Sequence, residues 1–175
     1  MGCATPTPYQ PEIAHSQVRG GYSDQQLAPD RYRVTFHGNS LTSRETVEAF
    51  LLYRAAELTV ASGADWFAVI DRETDHTITR EIRRDPLYDP WFGPAYGGWL
   101  PYWRYSVRGS GWRAWDPYHA DPFWADRFDE RQIEEFEATA EIRTGQGAPP
   151  TGAERAYDAR AVIEAIGPRV RASNP

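Results

Sequence analysis

A chain of 175 residues carrying a net charge of −6 fits one domain with enough chain to bury a core. That charge excludes the basic face that nucleic-acid phosphates require, and all 19 basic residues are arginine. The single cysteine, Cys3, excludes an internal disulfide and a cysteine-based zinc cluster, and no apolar run approaches the ~20 residues of a spanning helix.

The chain opens with "MGCATPTPYQPE". Gly2, Cys3 and Ala4 followed by prolines resemble the processed end of a bacterial lipoprotein, where the cysteine carries the acyl chains. Pro6 stands where N-myristoylation would want Ser or Thr. Residues 4–30 combine Pro6, Pro8, Pro11 and Pro29 with polar residues and little apolar periodicity, which reads as a flexible tether.

Order is expected from residue 31. In "DRYRVTFHG", Tyr32, Val34 and Phe36 alternate with polar neighbours as in a half-buried strand. A helix is predicted over about 43–62. Thr42 and Glu45 have the form of a capping box, Val47, Phe50, Leu51, Ala55 and Leu58 share one face, and Gly63 suits a left-handed cap. Trp66 to Ile70 is apolar on both faces, as in a strand buried in mid-sheet. Strand, helix and strand then make a crossover, expected to be right-handed. "TDHTITREIRR", residues 74–84, extends that strand or forms a hairpin arm.

An insert at about 85–128 follows. Asp85, Asp89, Asp116 and Asp121 each precede a proline and two bulky residues, and from Tyr88 to Phe128 there are fourteen aromatic residues, including six of the seven tryptophans. Proline and glycine punctuate the segment, so no helix or long strand is expected across it. Beyond it, Phe136, Ala138, Ala140 and Ile142 alternate with Glu135, Glu137, Thr139 and Glu141, a strand with one wet face. After Pro149 and Pro150, Asp158 caps a helix whose Val162, Ile163 and Ile166 face inward and which Gly167-Pro168 ends. The sum is an α+β fold: a two-layer α/β sandwich of order β-α-β-(long aromatic insert)-β-α. A small mixed sheet carries helices on one face, and residues 31–175 form a single domain.

Little in the sequence reads as a reaction centre. His15, His37, His76 and His119 are scattered, with no pair at helical metal-ligand spacing, and Asp116, His119 and Asp121 form a turn-rich cluster of the kind that arises by accident. Ser40, Thr42 and Ser43 read as helix caps rather than nucleophiles. Asp71, Glu73 and Asp75 follow a buried strand, where α/β sheets often place sites, and support a hydrolase only weakly. No cofactor is expected.

Two readings of the insert stay open. Its rings fold back over the sheet as core, or Trp91, Trp99, Trp103, Trp112 and Trp115 stay partly exposed as a contact platform. Arg104, Arg108 and Arg113 interleave with the tryptophans and suit cation–π stacking and an anionic partner. Trp91, Trp99, Trp103, Arg104, Trp112 and Trp115 are therefore the candidate partner-binding residues.

The block "GGYSDQQLAPDRYRVTFHGNSLTSRETVEAFLLYRAAELTVASGADWFAVIDRET", the C-terminal "AYDARAVIEAIGPRV" and the aromatic middle together resemble a family of lipoproteins from alphaproteobacteria. The resemblance covers nearly the whole chain. It implies acylation at Cys3 and, with Ala4 rather than Asp following, residence at the periplasmic face of the outer membrane. It implies no reaction. The expectation is a non-catalytic envelope lipoprotein, membrane-bound through acylated Cys3, whose aromatic insert contacts an envelope partner. The alternative is a glycan-binding module for peptidoglycan or lipopolysaccharide sugars.

Overall fold

The computed structural model describes residues 5–14, 18–70, 94–96, 98–99, 101–115, 133–151 and 155–173. Strands β1 (Gly21–Ala28) and β2 (Arg31–His37) form a hairpin, followed by helix α1 (Arg44–Ala61) and strand β3 (Trp66–Ile70). A 3₁₀ turn, Pro94–Tyr96, precedes β4 (Tyr102–Val107), β5 (Gly111–Trp115), β6 (Ile133–Gly145), β7 (Ala156–Asp158) and helix α2 (Ala159–Ser173). Among the described residues the result is an α+β sandwich, a seven-stranded sheet layered with two helices.

Strand β6 organises the sheet. Along one edge it pairs with β2, from Arg31↔Arg143 to His37↔Glu137. Along the other it pairs with β3 through Glu141–Gly145 and with β4 through Ile133–Thr139. Strands β3 and β4 thus lie end to end along the same edge of β6. All the strand ladders are antiparallel, rather than mixed as expected, and the isolated Pro11–Tyr22 bridge is the parallel pairing among the described residues. Because β2 and β3 are both antiparallel to β6, they run parallel to each other with β6 between them. The expected β-α-β crossover is present, split by a later strand.

Ser43, not Thr42, caps α1: its hydroxyl accepts from the Thr46 amide at 3.2 Å. The helix ends in the expected left-handed glycine. Gly63 has φ 78°, its amide donates to the Val60 carbonyl and that of Ala64 to Thr59, the two bonds of a Schellman cap. Val47, Phe50, Leu51 and Ala55 are buried as the periodicity predicts, and so are Leu52, Ala56 and Thr59, because α1 packs against both the sheet and α2. Asp158 caps α2 by accepting from the Ala161 amide at 2.8 Å. The helix does not stop at Gly167-Pro168 but continues to Ser173. Buried Gly167 lies against α1, where an added Cβ would sit 3.7 Å from the Tyr53 ring, and Val170 is buried one turn further on. Continued packing there outweighs the one backbone bond that Pro168 removes.

The N-terminal region is not the tether its composition suggests. Residues 21–28 are strand β1, and residues 5–14 form a strap across it. Thr7 is 1% exposed. Its amide donates to the Thr42 hydroxyl, its own hydroxyl donates to the Arg19 carbonyl, and the Asn39 amide donates to that hydroxyl, each at 2.8 Å. The Tyr22 amide and carbonyl exchange 2.8 Å bonds with Gln10 and Glu12. Gly20, at φ 94°, passes so close to β2 that a Cβ there would lie 2.2 Å from the His37 carbonyl oxygen. The Tyr9 ring packs on Phe50, Tyr53 and Tyr22, and its hydroxyl donates to Glu57. Burial, reinforced by that carboxylate, pushes the Tyr9 phenol far above its ordinary value.

Candidate binding face around Trp112

One sheet face is closed by the helices, since Phe36 meets Phe50 of α1 at 5.2 Å between centroids. Strand alternation sends the intervening residues to the opposite face. Register aligns them in rows: Thr35, Thr139 and Tyr102 across β2, β6 and β4, then His37, Glu137, Arg104 and Ala114, with Glu135, Ser106 and Trp112 beyond.

The charges on this face are largely paired. Arg33 donates to Glu141 at 2.7 Å, Arg104 to Glu137 at 3.3 Å, and the Thr35 and Thr139 hydroxyls bond at 3.0 Å. His37 lies between two carboxylates, Glu12 of the strap at Nδ1 and Glu135 of β6 at Nε2, both at 3.1 Å. A ring protonated on both nitrogens donates to both, and a neutral ring to only one. The carboxylates sit on opposite sides of the imidazole, so they hold it in place and do not converge on a common ligand.

Trp112 lies over this lattice. Its ring is 5.3 Å from that of His37 at 72°, and the Arg104 guanidinium carbon stands 5.2 Å from its centroid. It remains 36% exposed, and Tyr102, two rows away on the same face beyond Arg104, is 48% exposed. The arrangement can offer an aromatic face beside a cation, with flanking groups already oriented by their partners.

The expected tryptophan platform divides. Trp99 and Trp103 do not stay exposed: they are 1% and 0% accessible. Trp103 pairs with Ala138, whose side chain points with Phe36 towards the helices, so register carries its ring into the core, against Phe136 at 6.2 Å. Trp99 packs edge-on against Phe67 and Tyr157 at 6.1 and 6.2 Å. Trp112 and Arg104 occupy the open face as a contact surface requires. For Trp115 the backbone closes β5 opposite Trp103. Cys3, Trp91, Asp71, Glu73, Asp75, the 74–84 segment and the Asp116, His119 and Asp121 cluster lie outside the described residues.

Within the insert, where no helix or long strand was expected, the chain forms two short strands, β4 of six residues and β5 of five, paired as a hairpin. Its signal was present: Tyr102, Arg104 and Ser106 alternate with Trp103, Tyr105 and Val107, and "RGSG" supplies the turn, with Gly109 at φ 77°. His37, Glu12, Glu135 and Tyr102 were not singled out as site residues, because their juxtaposition depends on pairings between distant segments. Ser43 and Thr42 are engaged in capping and in the strap, which accounts for two of the three hydroxyls considered for a hydrolase. A cleft of about 200 Å³ opens beside them, lined by Leu41, Ser43, Ile133 and Phe136 among others.

Comparison of the chain with protein-family models, with curated proteins and with solved structures returned no match.

Proposed function

We propose that this protein is a non-catalytic lipoprotein of the bacterial cell envelope that holds an envelope partner on the open sheet face around Trp112. The observation that carries the reading is Trp112 itself: a large ring 36% exposed, set between an imidazole and a guanidinium that are each already held by carboxylates. Paired groups lose less freedom on binding than loose ones, which favours association. The envelope address rests on "MGCATPTP", with acylation at Cys3, and on the family resemblance carried by the blocks quoted above. Several acyl chains, at ~0.8 kcal/mol per buried methylene, would hold the domain stably at a membrane.

The test is chemical crosslinking in isolated envelopes, comparing the native chain with Trp112→Ala/Arg104→Gln. The variant is expected to lose the neighbours that the native chain captures; recovery of the same set from both would refute the reading. A glycan is the second candidate partner, favoured by the exposed Tyr102 and Trp112 rings beside hydroxyl and carboxylate groups, since rings stack on sugar faces. Tryptophan emission should then shift with muropeptides or oligosaccharides and lose that response in Trp112→Phe. A flat titration in the native chain removes the glycan.

A further inference from the structure

We propose that one end of the sheet, formed by the β2–α1 loop and the β4–β5 turn, lies against the lipid headgroups of the leaflet that holds Cys3. The inference rests on the reading of Cys3 as an acylated residue and adds an orientation to it. Its basis is the set of contacts that Thr5 and Thr7 make. The Thr5 carbonyl accepts from Asn39 Nδ2 at 2.8 Å, and two residues later Thr7 is locked to Thr42, Arg19 and Asn39. Cys3 precedes Thr5 by two residues, so the covalent chain between their Cα atoms spans at most about 7 Å. The headgroup layer is itself about 5–8 Å deep on each side of a bilayer. A lipid on Cys3 therefore cannot leave the β2–α1 loop standing clear of the surface.

The residues at this end suit that surface. Leu41, in the loop, is 50% exposed. The β4–β5 turn joins the same end, because Val107 pairs with Ile133, which lines the cleft with Leu41. That turn presents Arg108, whose side chain is 89% exposed and whose Nε donates to Glu134 at 2.9 Å, leaving the terminal guanidinium nitrogens facing outward. Trp112 follows it directly. An exposed leucine, a projecting guanidinium and an amphipathic ring at one end match the acyl boundary, the phosphate level and the interface of a bilayer. The opposite end, at Gly145–Gly147, faces away from the membrane. The Trp112 face then opens close to the bilayer, so its partner would be met at the membrane surface.

The experiment couples Cys3, the only thiol, to a maleimide-bearing lipid in phosphatidylcholine/phosphatidylglycerol vesicles. Hydrogen exchange is compared with that of a chain carrying a Gly/Ser spacer of about twelve residues, about 40 Å when extended, after Ala4. Residues 39–45 and 107–112 are expected to exchange roughly tenfold more slowly in the directly coupled protein than in the spacer variant, with 145–149 unchanged. Equal exchange with and without the spacer, or protection at 145–149, overturns the orientation while leaving the anchor intact. An intact mass without an acyl increment in the natively produced protein overturns the anchor, and with it the orientation in the cell.

Discussion

Replacing Thr7 by Val tests whether the strap belongs to the fold. The two side chains have nearly the same shape, so the substitution removes the hydroxyl and little else. That hydroxyl donates to the Arg19 carbonyl and accepts from the Asn39 amide, both at 2.8 Å, at a residue 1% exposed. The bond from the Thr7 amide to Thr42 survives, because it uses the backbone. Each polar group left without a partner costs about 1–3 kcal/mol, and Asn39 is only partly buried, so the sum should fall near 2–4 kcal/mol. With a urea slope of about 1–3 kcal/mol/M, the unfolding midpoint should drop by roughly 1–2 M at unchanged slope. Thr7→Ser keeps the hydroxyl and should recover most of the loss. A change in Thr7→Val below about 0.5 kcal/mol, the size expected for an unconstrained surface residue, would refute the strap as a structural element.

The division of the tryptophans predicts a contrast: Trp103→Ala should cost about 3–5 kcal/mol through the cavity it leaves, whereas Trp112→Ala should stay within about 1 kcal/mol, both read by urea unfolding. Tyr9 should make the protein sensitive to alkali. Its phenol is held above the usual 10.0 chiefly by burial, so its contribution is complete below that pH and is lost as pH rises towards the folded value. The fall in thermal midpoint above pH 10 should therefore be smaller in Tyr9→Phe. Asp65 works in the opposite sense. The Gly147 amide at 2.8 Å and Arg160 at 2.9 Å hold its carboxyl below the usual 3.8, so stability present above that value declines as pH falls through the lower folded value. In Asp65→Asn the acid dependence of unfolding should be shallower over that range.

What was legible in the sequence is what one face of burial writes into a single segment. Strands β2 and β6 alternate because one face meets the helices and the other meets water, and α1 shows its apolar face and glycine cap for the same local reason. Strand β1 was invisible because Ser23 to Leu27 are all exposed, and it is held by backbone pairing to β2 and by the strap rather than by side-chain burial. The end of α2 was misread because Gly167-Pro168 is a local stop signal, whereas packing against Tyr53 and burial of Val170 are tertiary. In the aromatic insert, composition identified the rings but not their destinations. Trp103 and Trp112 have similar neighbours, yet strand register sends one into the core and the other onto the open face. The site was thus half legible: Arg104 and Trp112 were marked by their chemistry, while His37, Glu12 and Glu135 come together only through pairings of residues far apart in the chain.

The central claim, that the face around Trp112 holds an envelope partner, is tested most directly in cells by a photoreactive residue. Ala114→p-benzoylphenylalanine, on the same face beside Arg104 with Trp112 left intact, would be compared with the same substitution at Gln146, just past the far end of β6. The account predicts a discrete adduct of reproducible mass, protein or glycan, from position 114 and none from position 146. No adduct from position 114, or the same adducts from both positions, would contradict it.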